Sequence, residues 1–196
     1  HRGMIETLAD QINNGWLQLF CVDSIDAESW YARNRHPGER AWRHMQYERY
    51  ILHEVLPLSR ALNDNPFLIA TGASFGAYHA VNLAFRHPHA VSRVIGLRGM
   101  YVIKTVTGET DDHNVYINNP AHYMLNVHDH GHLEAIRRQD IILVTGQDDP
   151  HLQNNQHMSG VLWSKNIWHA LRLWNGWSHD WPYWREMIRT YIGGND

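Results

Sequence analysis

Apolar positions at the start of the chain recur at helical spacing (Met4, Ile5, Leu8, Ile12), and Asn13-Asn14-Gly15 supplies a stop. The apolar run over residues 16–22 then predicts a strand, followed by a polar stretch over 23–38. Residues 39–56 carry Trp42, Met45, Tyr50, Leu52 and Val55 among charges and predict a long amphipathic helix that Pro57 ends or kinks. A short continuous apolar run over 67–71 suits a strand buried on both faces, and helical composition returns over 77–86.

Further along, 91–97 predicts a strand, 98–120 a long loop, 133–138 a short helix and 141–145 the most apolar strand of the chain. Residues 153–165 read as helix, 170–174 as an alternating strand, and 181–191 as a terminal helix with Pro182 near its start. Five strands alternating with helices predict an α/β fold, a mostly parallel sheet with helices on both faces. There is no internal repeat or low-complexity tract.

A length of 196 residues with 43% hydrophobic content fits one domain, 1–196, around one core. A formal charge of -3 offers no broad footprint for nucleic acid or anionic lipid. The apolar runs fall far short of the roughly 20 residues that span a bilayer, so no membrane partner is expected. Cys21 stands alone, which excludes an internal disulfide and a cysteine-based metal site and favours a reducing, cytoplasmic compartment. The opening His1-Arg2-Gly3 has neither an initiator Met nor a signal-peptide pattern, and predicts that an N-terminal piece is missing.

Chemistry enters at Gly72-Ala73-Ser74-Phe75-Gly76, a G-x-S-x-G pattern directly after a predicted strand and before a predicted helix. A reversal in so few residues crowds the backbone, so small residues must flank a serine held at strained dihedrals. The bland alternative is a Gly-rich turn whose serine caps the helix. A serine hydroxyl is a poor nucleophile unless a histidine takes its proton and a carboxylate fixes that histidine. The order expected on this kind of sheet is serine, acid, histidine. Asp148-Asp149 follows the fourth predicted strand and His179 follows the fifth, so nucleophile, acid and base are placed at carboxyl ends of strands, where open α/β sheets bind ligands. Both aspartates remain candidates for the acid.

Sixteen histidines and nine tryptophans are high for this length. His79, one helical turn past Ser74, is expected to pack or hydrogen-bond locally. The run His128-Asp129-His130-Gly131-His132 lacks a convincing further ligand, so it reads as a polar loop with Asp129 near a helix start, and no metal site is predicted. Trp174, Trp177, Trp181, Tyr183 and Trp184 surround His179 in sequence, most of them as core and one or two free to shape a pocket.

The elbow, with the block His179-Asp180-Trp181-Pro182-Tyr183-Trp184, resembles the "Putative esterase" family of α/β-hydrolases, which includes feruloyl esterases, esterase D and the antigen 85 mycolyltransferases. The resemblance runs from about Gly3 to the end of the chain, and the His-Asp-Trp-Pro-Tyr-Trp block is its more specific part. It implies an α/β-hydrolase fold and a serine carboxylesterase without cofactor, acting on a small-molecule ester. Ser74 would be nucleophile, His179 general base and Phe75 N–H an oxyanion-hole donor. A Gly-x-x-Asp turn like that of feruloyl esterases selects Asp149 as acid, with Asp148 as the alternative. The resemblance also implies strands before the point where this sequence begins, and a loop among them that gives a second oxyanion donor. An N-terminal segment or a second copy is therefore expected to complete the sheet. Acyl transfer to an alcohol is a second reading within the same chemistry. A non-catalytic fragment binding a partner or a carbohydrate is a third.

Overall fold

The computed structural model describes residues 2–194. Its elements are α1 (Met4–Thr7), α2 (Ala9–Asn13), α3 (Pro37–Tyr50), α4 (Leu56–Leu62), β1 (Ile69–Ala73), α5 (Phe75–Arg86), β2 (Arg93–Leu97), α6 (Lys104–Thr107), α7 (His113–Tyr116), α8 (Pro120–Tyr123), α9 (His130–Arg137), β3 (Asp140–Gly146), α10 (Leu152–Ser164), β4 (Ala170–Trp174) and α11 (Trp181–Tyr191). The four strands form one parallel sheet in the order β1-β2-β3-β4. Inner strands β2 and β3 are buried almost throughout, whereas β1 and β4 are half-buried edges. The most apolar run of the sequence thus occupies the centre of the sheet, where both faces are covered.

Helices cover both faces. On one, Val81, Ala84 and Phe85 of α5 and Met158, Val161 and Leu162 of α10 pack with Val94, Ile141 and Leu143 of the sheet. On the other, Leu8 and Trp184, Met187, Ile188 and Tyr191 of α11 pack with Ile95, Leu97, Ile142 and Val144. A third cluster, Trp30, Ala41, Phe75, Tyr78, Ile103 and Val115, sits beside the start of α5 and anchors the 23–36 stretch there.

Four expectations are corrected. First, residues 16–22 form no strand, so the described sheet has four strands, not five. A strand needs a neighbouring edge to take its N–H and C=O groups. The outer edge of β1 is separated from this segment by a groove of about 520 Å³, lined by Leu17, Leu19 and Phe20 on one side and Ile69 and Thr71 on the other. Trp16 is left 78% exposed.

Second, Pro57 does not end its helix. Residues Ile51–Val55 widen into a π-helical turn and the chain continues as α4, with Pro57 in its first turn. A wider turn relieves the clash between the proline ring and the carbonyl four residues earlier, so the helix continues through the proline. Third, the 98–120 stretch is not a bare loop but holds α6 and α7 and ends on Pro120 of α8. Asp112, whose side chain accepts from the N–H groups of Asn114 and Val115, caps α7. Fourth, the N-terminal helical pattern is divided into α1 and α2 at Leu8.

Candidate active site

Parallel pairing brings the carboxyl ends of the strands together. Ser74 N–H donates to Leu97 O (2.9 Å), Arg98 N–H to Val144 O (2.6 Å) and Gln147 N–H to Trp174 O (2.8 Å). The residues that leave β1, β2 and β3 are therefore each tied to the end of the next strand. Ser74, Arg98, the 147–149 turn and the 175–179 loop share one edge of the sheet.

Ser74 sits between β1 and α5 with φ 55 and ψ -118, a left-handed conformation that costs a non-glycine residue free energy, on the order of 1–3 kcal/mol. Its side chain makes no cap bond to α5. The helix-capping alternative therefore gives no reason for the strain, and the hydroxyl is left partly exposed at the sheet edge. Gly72 makes the turn geometrically possible, because a Cβ there would stand 2.2 Å from Gly76 O. Phe75 opens α5, so its N–H belongs to the helix-start donors without an intrahelical acceptor. Its ring is held by Tyr78 (4.9 Å between centroids), His79 (5.1 Å) and Tyr31 (5.2 Å).

Of the two aspartates after β3, Asp148 is exposed and Asp149 is buried, with its side chain fully covered. Asp149 Oδ1 accepts from His151 N–H at 2.7 Å, and Oδ2 accepts from Arg98 Nε at 2.6 Å. His179 Nδ1 lies 3.7 Å from that same Oδ2, and this buried nitrogen has no hydrogen-bond partner among the described residues. Close backbone approach brings the histidine loop here, since a Cβ on Gly146 would stand 2.5 Å from Gly176 O and Trp177 O. Trp177 and Trp184 hold the ring, with centroids 5.3 and 5.1 Å away, the second edge-on. Burial lowers the pKa of His179; Arg98 and His151 push the same way, and Asp149 opposes them.

Ser74 and His179 are not joined by a hydrogen bond among the described residues. Catalytic contacts are often long before substrate binds. The 520 Å³ groove runs along the outside of β1 and reaches Gly76 and His79, but Ser74, Asp149 and His179 do not line it.

Two features at this edge carry no sequence signature. Arg98 was indistinguishable from a loop residue, because its importance arises only once β2 lies between β1 and β3. His151 reaches Asp149 through its backbone. His79 packs locally against Phe75 and Tyr78 (centroids 5.1 and 5.2 Å), as expected, and its Nε2 is also 2.9 Å from Asp26 Oδ1, a partner 53 positions away. Burial raises Asp26, but the hydrogen bond and charge of His79, with the bond from Ser24 and the charge of His44, together outweigh this and hold it below the usual carboxylate value. Asp129 lies at a helix start, as expected, but that helix opens at His130, so His130-Gly131-His132 is helical and not loop; Asp129 caps it by accepting from His132 N–H at 2.6 Å, and His132 Nε2 donates to Phe85 O at 2.7 Å. Among the described residues no group of three His, Cys, Asp or Glu side chains could hold a metal ion. None of the described helices is long and apolar enough to cross a membrane.

Residues 17–191 match the family described as "Putative esterase". The chain belongs to this family. Three solved structures of serine hydrolases and esterases share the esterase chain's fold. A ferulic acid esterase aligns with a TM-score of 0.62 at 21% identity, over 74% of this chain and 58% of that one. S-formylglutathione hydrolase (FrmB) from Staphylococcus aureus gives 0.53 at 16% identity, over 78% and 63%. The fluorophosphonate-binding serine hydrolase FphF from Staphylococcus aureus gives 0.52 at 16% identity, over 65% and 54%. This esterase-family chain thus spans less than two thirds of each of these structures. No curated protein matches the chain. The parallel sheet with helices on both faces is the α/β-hydrolase fold.

Proposed function

We propose that the protein is a serine carboxylic-ester hydrolase working through an acyl-enzyme on a small-molecule ester. The observation that carries this reading is the strained Ser74, free of any capping role, on the same sheet edge as the buried Asp149 and His179. Ser74 Oγ attacks the ester carbonyl while His179 takes its proton. Asp149 orients His179 and stabilises the imidazolium that forms. The Phe75 N–H donates to the oxyanion. His179 then returns the proton to the departing alkoxide, and a water activated by the same imidazole hydrolyses the acyl group from Ser74.

One N–H is half of a usual oxyanion hole, and loss of one donor costs about 100- to 1000-fold in rate. The unpaired outer edge of β1 beside the groove supports the addition of a further strand there, from a longer chain or a second copy, with its loop as second donor.

Labelling with a fluorophosphonate probe, with the modified residue located by mass spectrometry, tests the nucleophile. Label on Ser74 that disappears in Ser74→Ala is the expected result. A folded protein that takes no label removes the catalytic reading and leaves a binding role.

A further inference from the structure

We propose that Arg98 is a positioning residue of this site, holding the Asp149 carboxylate from the strand that lies between nucleophile and acid and placing a fixed cation beside His179. The inference deepens the esterase reading and rests on it for the role of His179.

The register places Arg98 in this position. Ala73, Leu97 and Val144 are aligned across β1, β2 and β3, so the residue leaving β2 stands between Ser74 and the turn that carries Asp149. Arg98 takes a left-handed backbone conformation, φ 57, which a long side chain rarely adopts without compensation. Its N–H is tied to Val144 O, and its side chain is 11% exposed. The strained backbone and the buried side chain converge on one contact, Nε–H to Asp149 Oδ2 at 2.6 Å. Such charge-assisted bonds are about twice as strong as neutral ones.

Two consequences follow for the base. The Asp149 carboxylate is held by donors on both oxygens, Arg98 on Oδ2 and His151 N–H on Oδ1, so it does not need His179 to stay in place. Arg98 and His179 also face the same oxygen, at 2.6 and 3.7 Å, which sets a permanent positive charge against any proton that His179 takes. The titratable and charged groups facing His179 are Asp149 and His151 from the turn after β3 and Arg98 from the end of β2; Asp149 alone favours the imidazolium. Arg98 therefore keeps His179 a free base to lower pH than an unassisted histidine–aspartate pair would allow.

The test compares Arg98→Asn, Arg98→Gln and Arg98→Lys with the parent chain. Asn suits a left-handed backbone and Gln keeps more of the side-chain length, so at least one neutral variant should fold, as checked by circular dichroism. Two readouts are taken: kcat/KM against pH with p-nitrophenyl acetate, and titration of the His179 ring by NMR, assigned with His179→Asn. In the neutral variants the acid limb and the NMR midpoint both move to higher pH, and kcat/KM measured below the parent limb falls by roughly tenfold. Arg98→Lys restores the limb towards the parent position. A lower plateau with both midpoints unmoved would make Arg98 a packing residue and overturn the proposal. If no variant shows Ser74-dependent turnover, the esterase reading fails instead, and the NMR titration still decides whether Arg98 governs His179.

Discussion

Asp149 Oδ2 and His179 Nδ1 face each other at 3.7 Å, across a carboxylate whose side chain is completely buried. That burial separates Asp149 from its exposed neighbour Asp148. Asp149→Asn should lower kcat by about 10⁴-fold, because the amide no longer orients the imidazole in the productive tautomer. Asp148→Asn should change it less than twofold. The pair of rates on an activated ester checks the assignment, and a large loss on Asp148→Asn would transfer the role of the acid.

Gly72 and Gly76 touch at the elbow in a way that no side chain survives, since a Cβ on Gly72 would meet a backbone carbonyl at 2.2 Å. Backbone atoms cannot swing aside, so Gly72→Ala should destabilise the fold by about 3 kcal/mol or displace Ser74. Gly76→Ala, with open space at its Cβ, should cost less than about 1 kcal/mol. Urea denaturation of the two variants measures the contrast, and equal losses would refute it.

Local chemistry explains what could be read without coordinates. A strand, a sharp turn and a helix are specified within a dozen residues around Ser74, but the burial on both faces read from the run over 67–71 does not hold, since β1 is a half-buried edge and the covered positions fall to β2 and β3. Asp149 could be chosen over Asp148 only by resemblance, because two adjacent carboxylates differ in which way the turn aims them. Arg98 stayed invisible, since its partner lies 51 positions later, in the turn after β3. Residues 16–22 show the opposite failure: the apolar run of a strand is present, but such a run says nothing about whether an edge lies within hydrogen-bonding reach. The π-helical turn before Pro57 likewise needed the backbone itself.

In the proposed role of base His179 can take a proton only when unprotonated, and its ionisation is shifted down by burial and then by Arg98, with Asp149 pulling the other way. A lowered pKa leaves the free base populated further into acid. The acid limb of kcat/KM should therefore have its midpoint below about 6.5, the ordinary histidine value, with a slope of one on the acid side. Stopped-rate assays from pH 4.5 to 8 locate it. A midpoint above 7 would mean that Asp149 dominates and that the imidazolium is favoured.

Glu48 of α3 is buried against α5, where Arg86 Nε donates to Oε2 at 2.9 Å and His87 Nε2 lies 2.9 Å from Oε1. Burial alone would raise its pKa, but the bonds to His87 and Arg86 override that and bring it down to about 2. The folded value lies below the unfolded one of about 4.3, so the unfolded chain binds the proton more readily. The linked stability is thus complete above about pH 4.3 and is lost as pH falls towards 2. Glu48→Gln should cost about 3 kcal/mol at pH 7, since it also leaves Arg86 without its charged partner. At pH 3 the gap between the two proteins should shrink to about half, because the parent has by then surrendered much of the same contribution. Urea midpoints at the two pH values decide it, and a gap that does not narrow in acid would show that Glu48 contributes through packing instead of charge.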